Sequence, residues 1–270
     1  MVAVALLAVI IVGLLAMFYQ VQRAFRVGTS QVDVMEGGRA AISLITREMQ
    51  EVAAAGLLDT TNLVIVLSDG GITTSQSLSS GEVQQNFLQD LCFLQRRNDD
   101  WTGVAYRFTN AITGVGTLVR YSWSWPSDSN PAIASDTNSV MSGFVCRLPA
   151  NRPEGVSQVL DGVVHFQIEA YDANGIPFSS DRIPLIVDDR YLHRNRGKNF
   201  YAFMSTNLPA YLDIELRVLE PSTLAKFRAR EQADLLSGTT TRLEYLGRQI
   251  GHTHVFRQRI PVRSAATLPF

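Results

Sequence analysis

The sequence predicts an α+β protein in which one long N-terminal helix lies on an antiparallel β-sheet. Three observations carry that expectation. The chain opens on an uncharged apolar run of helical length; an apolar stripe at three- and four-residue spacing follows directly; and later segments alternate apolar and polar residues with a period of two. The 270 residues are 46% hydrophobic and 18% charged, which is enough apolar material for a substantial core.

Met1–Tyr19 reads MVAVALLAVIIVGLLAMFY, and no charged residue occurs before Arg23. As a helix this run is about 28 Å long, close to the thickness of a bilayer core. A cleavable signal peptide carries a basic start, a shorter apolar stretch and a small-x-small cleavage site. Here nothing basic precedes the run, and it ends on the bulky Met17, Phe18 and Tyr19. It is therefore read as a retained transmembrane segment over residues 1–19.

The helical pattern continues past the span. Val21, Phe25, Gly28, Val32, Met35, Ile42, Ile45, Met49 and Val52 recur every three or four residues, broken only at Arg39. Ala53–Ala55 extend the pattern and Gly56 suits the position after a helix end. This gives an N-terminal unit over residues 1–56, with an amphipathic stem over 20–56, and a rod of about 80 Å from Met1 to Ala55. Gly37-Gly38 is its expected weak point. The Val32–Val52 stripe is expected to pack on the chain's own globular part, residues 57–270.

Beyond Leu57 the period changes. Leu63–Leu67 reads as a buried strand, and Ser68–Gly81 as an exposed loop. Leu91–Arg97, a turn through Asn98-Asp99-Asp100, and Thr102–Phe108 read as a β-hairpin; Gly116–Trp125 reads as the next strand, and Pro126–Gly143 as loop. In Val163–Tyr171, Val164, Phe166, Ile168 and Ala170 face one side while His165, Gln167 and Glu169 face water. Tyr211–Leu219 alternates in the same way, with Leu212, Ile214, Leu216 and Val218 inward. Pro221–Leu236 reads as a short helix capped by Ser222, and Val255–Val262 as a closing strand.

Composition narrows the function. Twenty-four basic residues balance 25 acidic ones for a net charge of -1, which argues against binding nucleic acid through bulk charge. Arg190, His193, Arg194, Arg196 and Lys198 form a basic stretch beside Tyr191, Phe200 and Tyr201, read as a solvated loop. His252 and His254 would share a strand face, but no third metal ligand stands near them in sequence, and His165 and His193 belong to other elements. Asp69-Gly70-Gly71 and Asp188-Asp189 lack the spaced oxygen donors of a calcium loop and read as turns. No nucleophile-elbow, zinc-protease, phosphate-loop or dinucleotide motif occurs. The chain is read as no enzyme, with no catalytic, cofactor or metal residues and no small-molecule ligand assigned.

The start MVAVALLAVIIVGLLAMF and the helix ending in RAAISLITREMQEVAAAG resemble the N-terminal helix of type IV pilin-like proteins. Within that group the chain is similar to the J-type minor pseudopilins of type II secretion systems and to the W-type minor pilins. Later stretches support the resemblance in the family's order. VGTLVRYSW resembles its G-x-L-x-R strand, VLDGVVHFQIEAYDANG its L-x-G-V…F…Y-D-x-x-G segment, and LPAYLDIELRVL its L-P-x-x-V-x-I-x-L strand. The family's processing motif, G-F-T-L-x-E and a variable residue often followed by methionine, is missing from the sequence; either it lies just upstream of Met1, or the protein lacks the leader and its glutamate. No residue here is assigned the role of its glutamate.

The resemblance implies a single-pass protein of a bacterial inner membrane with its globular part in the periplasm. Its partners would be other pilin-like subunits, met through the N-terminal helix. Arg23 and Arg26 follow the span with nothing basic before it, a charge pattern that taken alone points to the opposite orientation. In the implied compartment Cys92 and Cys146 are candidates for a disulfide, which would close a loop of about 55 residues and contribute about 3–4 kcal/mol in the chain-entropy model. Two buried thiols are the alternative. The expected function is a structural subunit at the tip of a type II secretion pseudopilus. A W-type pilin priming a pilus, or a signal-anchored periplasmic enzyme or binding domain, are the alternatives.

Overall fold

One helix, α1 (Val2–Met49), carries the apolar start and the stem without interruption. The computed structural model describes residues 2–54, 61–68, 73–77, 81–97, 100–124, 156–178, 201–204 and 206–263. The described strands are β1 (Thr61–Leu67), β2 (Thr74–Ser77), β3 (Val83–Asn86), β4 (Gln89–Arg97), β5 (Asp100–Thr109), β6 (Gly116–Ser124), β7 (Ser157–Tyr171), β8 (Tyr201–Met204), β9 (Tyr211–Leu219) and β10 (Thr253–Pro261). Two further helices, α2 (Pro221–Ser237) and α3 (Thr241–Gly247), lie between β9 and β10.

Eight strands form one antiparallel sheet in the order β10-β9-β7-β6-β5-β4-β1-β8, while β2 and β3 form a separate hairpin. Alternation explains the sheet's inner face. Leu63 and Ile65, Leu91 and Phe93, Val104 and Tyr106, and Leu212, Ile214, Leu216 and Val218 are buried on one side with the C-terminal half of α1. Val64, Cys92, Leu94, Ala105 and Tyr121 form a second cluster from the alternate positions.

The helix departs from the expected rod at its end. It stops at Met49; Val52 then bridges Gln95, and the Ala53 amide donates to the Leu94 carbonyl at 3.0 Å. The free side of β4 at Leu94–Gln95 thus takes the chain out of the helix before Ala55. Gly56 lies outside the described residues.

The buried stripe also begins later than expected. Val32 is 54% exposed, whereas Val34, Ala41, Ile42, Ile45, Met49 and Val52 are buried. Among the described residues of the helix before Val34, none is buried. The apparent break at Arg39 is filled by Gly38 and Ala41, whose small size lets the sheet approach; Phe256 of β10 packs onto Gly38 and Leu160 of β7 onto Gly37. The two glycines form a close contact within a continuous helix.

Strand β7 corrects two expectations. Its register against β9 slips between Val163 and His165, so Val164 is an extra residue in a bulge. Val163, not Val164, therefore shares the inner face with Phe166, Ile168 and Ala170, while Val164 joins Leu219, Phe227 and Leu246 under α2 and α3. Gly162, just before the bulge, has φ +74°, and a β-carbon there would press on Leu224. His165 is buried rather than wet, because the segment before β4 crosses it. Phe87 donates its amide to His165 Nδ1 at 3.2 Å and accepts from the Phe166 amide at 2.9 Å.

Ser68–Gly81, expected as exposed loop, contains β2. Gln76 and Asn86 are buried in the hairpin: Asn86 Nδ2 donates to Gln76 Oε1 at 2.9 Å, and Gln76 Nε2 donates to the Leu246 carbonyl of α3 at 3.2 Å. Helix α2 begins with Pro221 as its first residue and Glu220 as its cap position, so Ser222 does not cap it. Helix α3 is held by Asp234 at the end of α2, whose carboxylate accepts from the Thr241 and Arg242 amides and from the Thr239 and Thr241 hydroxyls. Burial opposes that charge, but the hydrogen bonds from Thr241 and Thr239 and the two amides hold the carboxyl well below its ordinary range.

Candidate functional site

The candidate site is α1 itself: an uncovered N-terminal part and the joint that fixes its other end. Between the apolar start and Val34, the side chains of Val21, Phe25 and Val32 stay exposed, Phe25 by 70%. Together with Ala24, Gly28, Thr29 and Asp33 they line a shallow apolar groove along the stem. Apolar area left open at helical spacing is surface available to another helix.

The joint lies at the opposite end of α1. Tyr106 and Arg120 are cross-strand partners on β5 and β6, so their side chains stand next to each other on the face that receives the helix. Glu48, one turn after Ile45, descends between them. Tyr106 donates its hydroxyl to Glu48 Oε2 at 2.5 Å, Arg120 Nε donates to both carboxylate oxygens at 2.9 and 3.0 Å, and Arg120 Nη2 stands 2.8 Å from Oε1. Gln95 Nε2 donates to the Glu48 backbone carbonyl at 2.8 Å, satisfying an acceptor at the helix end. Burial and the bond to Glu48 raise the Tyr106 hydroxyl above its ordinary value, so it remains a donor. Burial works against the Arg120 charge, yet the Glu48 carboxylate raises its pKa and keeps it protonated.

A second internal pair ties β4 to β5. Arg107 Nε donates to Asp90 Oδ2 at 2.9 Å and the Phe108 amide to Asp90 Oδ1 at 3.2 Å. Burial raises the Asp90 carboxyl above its ordinary value, with Arg107 opposing. On the outer face of β9 and β10, Glu215 bonds Arg217 and Arg257, and Asp213 bonds Arg259, which also lies over the Tyr171 ring. Those charges are satisfied by one another, within β9 and across from β10.

The residues singled out in the sequence fall in different places. Cys92 is buried among Val64, Leu94, Ala105 and Tyr121, where burial pushes a thiol up to about 12; Cys146 lies outside the described residues. His252 and His254 do converge, but on a carboxylate: His252 Nδ1 is 3.0 Å from Glu220 Oε2 and His254 Nε2 is 3.6 Å from Oε1. Among the described residues no group of three His, Cys, Asp or Glu side chains is arranged to hold a metal ion. His193, the basic stretch Arg190–Lys198, Asp69-Gly70-Gly71 and Asp188-Asp189 lie outside the described residues. Sequence reasoning missed Glu48 and Tyr106; the available signal was an acid placed on the buried face, three residues after Ile45 and one before Met49.

The fold class is thus α+β, a long N-terminal apolar helix on a curled antiparallel sheet. Among the described residues one helix is long and apolar enough to cross a membrane, by length and composition. In comparisons with known proteins the chain matches no family model and no curated protein.

Proposed function

We propose that the chain is a membrane-anchored structural subunit of a pilin-like filament, similar to a J-type minor pseudopilin that supports protein secretion from the tip of a pseudopilus. The observation that carries this reading is the division of α1: its first part is an apolar span, its middle an uncovered apolar stem, and its last part a component of the sheet's core. An anchor alone needs a span and a linker. A stem that keeps its apolar stripe in water is suited to lateral contact with neighbouring helices.

The residues behind the resemblance support the reading through what they do in the fold. Gly116 lets Phe108 and Leu88 close over β6, Leu118 is buried in the core, and Arg120 grips α1. In the second stretch, Gly162 and Gly175 occupy positive φ, and Asp172 Oδ1 accepts from the Asn174 and Ile176 amides of its turn. In this reading the subunit acts by assembly and not by catalysis. The span sits in a bacterial inner membrane, the sheet in the periplasm, and pilin-like subunits pack along the stem.

Substituting Phe25→Glu together with Val32→Glu tests it. Both side chains are exposed and lie beyond the span, so the variant inserts and folds as the parent does. The expected result is that it no longer co-purifies with neighbouring pilin-like subunits after mild detergent extraction. Undiminished co-purification would overturn the reading.

A further inference from the structure

We propose that the Glu48–Arg120–Tyr106 cluster is an orientation lock, which fixes the rotation and height of α1 on the sheet without being a source of the fold's stability. Apart from the Gln95 Nε2 bond to the Glu48 carbonyl, the remaining contact surface between helix and sheet is largely apolar. Val34, Ala41, Ile42, Ile45 and Met49 share one buried cluster with Leu118, Ile214 and Leu216, and apolar burial is non-directional. Cores of this kind tolerate repacking at conserved volume, losing uniqueness before stability.

The cluster is directional. Tyr106 and Arg120 are held side by side by strand register, and one carboxylate meets both donors only at one height and one rotation of the helix. A slip of one turn, about 5.4 Å, would carry Glu48 away from both donors and leave a charge stranded in the core. Ion pairs withdrawn from water lose in desolvation much of what they gain in attraction, so the pair adds little to the native state but penalises the slipped one.

The length of α1 makes this consequential. From Val34 back to Val2 the helix extends about 48 Å, so a slack of about 10° at the joint displaces its far end by about 8 Å. A subunit whose span and stem must meet neighbours, as proposed above, depends on that angle. The lock itself is testable on the isolated protein and stands or falls independently of any filament.

The experiment compares the full-length protein in detergent micelles with the variant Glu48→Leu/Tyr106→Phe/Arg120→Met, which removes the charges together and keeps apolar volume. Spin labels are introduced as unnatural amino acids at the exposed Gln31 and Ala229, leaving both cysteines untouched. The expected result is a melting temperature within about 4 °C of the parent or above it, with the label-to-label distance distribution at least doubled in width or split. A distribution as narrow as the parent's would overturn the lock, because packing and the Gln95 bond to the helix end would then orient the helix without it. A variant that fails to fold would overturn it as well, by making the cluster a source of stability. Exchanging the partners, Glu48→Arg with Arg120→Glu, is expected to narrow the distribution again relative to the apolar variant; an exchange variant as broad as the apolar one contradicts the proposal.

Discussion

Gly38 of α1 lies so close to Phe256 of β10 that a β-carbon on it would overlap three carbons of the ring. A glycine that weakens the helix by its freedom is here the position where the sheet comes nearest to it. Gly38→Ala gains about 0.5–1 kcal/mol of helix propensity but forces the ring away at about 1–3 kcal/mol, so thermal unfolding should show a net loss. Gly28→Ala, with open space around it, should be neutral or stabilising. A stabilising Gly38→Ala would contradict the packing described.

His165 should make stability depend on acid. Burial, with the Arg217 guanidinium adding to it, lowers its pKa from 6.5 to about 4, against the opposing Glu215 carboxylate. Its Nδ1 accepts the Phe87 amide, so the neutral ring carries its proton on Nε2. The unfolded chain binds the proton more readily, so this stability is fully present above pH 6.5 and is lost as pH falls towards 4. Between pH 7 and pH 5 the loss should be about 2 kcal/mol, read from denaturant melts. His165→Gln should flatten that slope, and an unchanged slope would place its origin elsewhere.

Gly162 should resist substitution. Its φ of +74° is strained for a side chain, and a β-carbon would stand 2.9 Å from a Leu224 methyl. Gly162→Ala should destabilise the protein by about 1–3 kcal/mol. The readout is a lower melting temperature together with loosened amide protection along α2, whose Leu224 is the group displaced.

Asp234→Ala should release α3. Without the carboxylate, the Thr241 and Arg242 amides lose their acceptor, and Leu246 loses its hold on Gln76 of β2. Hydrogen exchange should accelerate in residues 239–247 and in β2, with β9 and β10 unchanged. Exchange confined to α3 would show that the hairpin does not depend on it.

How legible this fold was depends on the kind of signal each element carries. α1 and strands β7 and β9 were readable because their faces differ sharply in polarity, at periods of 3.6 and 2. The hairpin of β2 and β3 was not, because its buried residues are the polar Thr74, Gln76 and Asn86, the last two bonded to each other. The bulge at Val164 shifts the inward phase by one residue, which alternation alone does not reveal. The joint was half visible. Arg120 stood out within the GTLVR stretch, but its partner Glu48 is 72 residues away, a separation that no local pattern bridges.

The uncovered stem is the central claim, and photo-cross-linking tests it most directly. A photoreactive amino acid is placed at Phe25 in the full-length protein in native membranes, with Leu236, exposed on α2, as the comparison position. The account predicts adducts from Phe25 to the N-terminal apolar helix of another pilin-like subunit, mapped by mass spectrometry, and none to such a helix from Leu236. A folded, membrane-inserted protein that yields only lipid adducts at Phe25 would contradict it, and would leave α1 as an anchor.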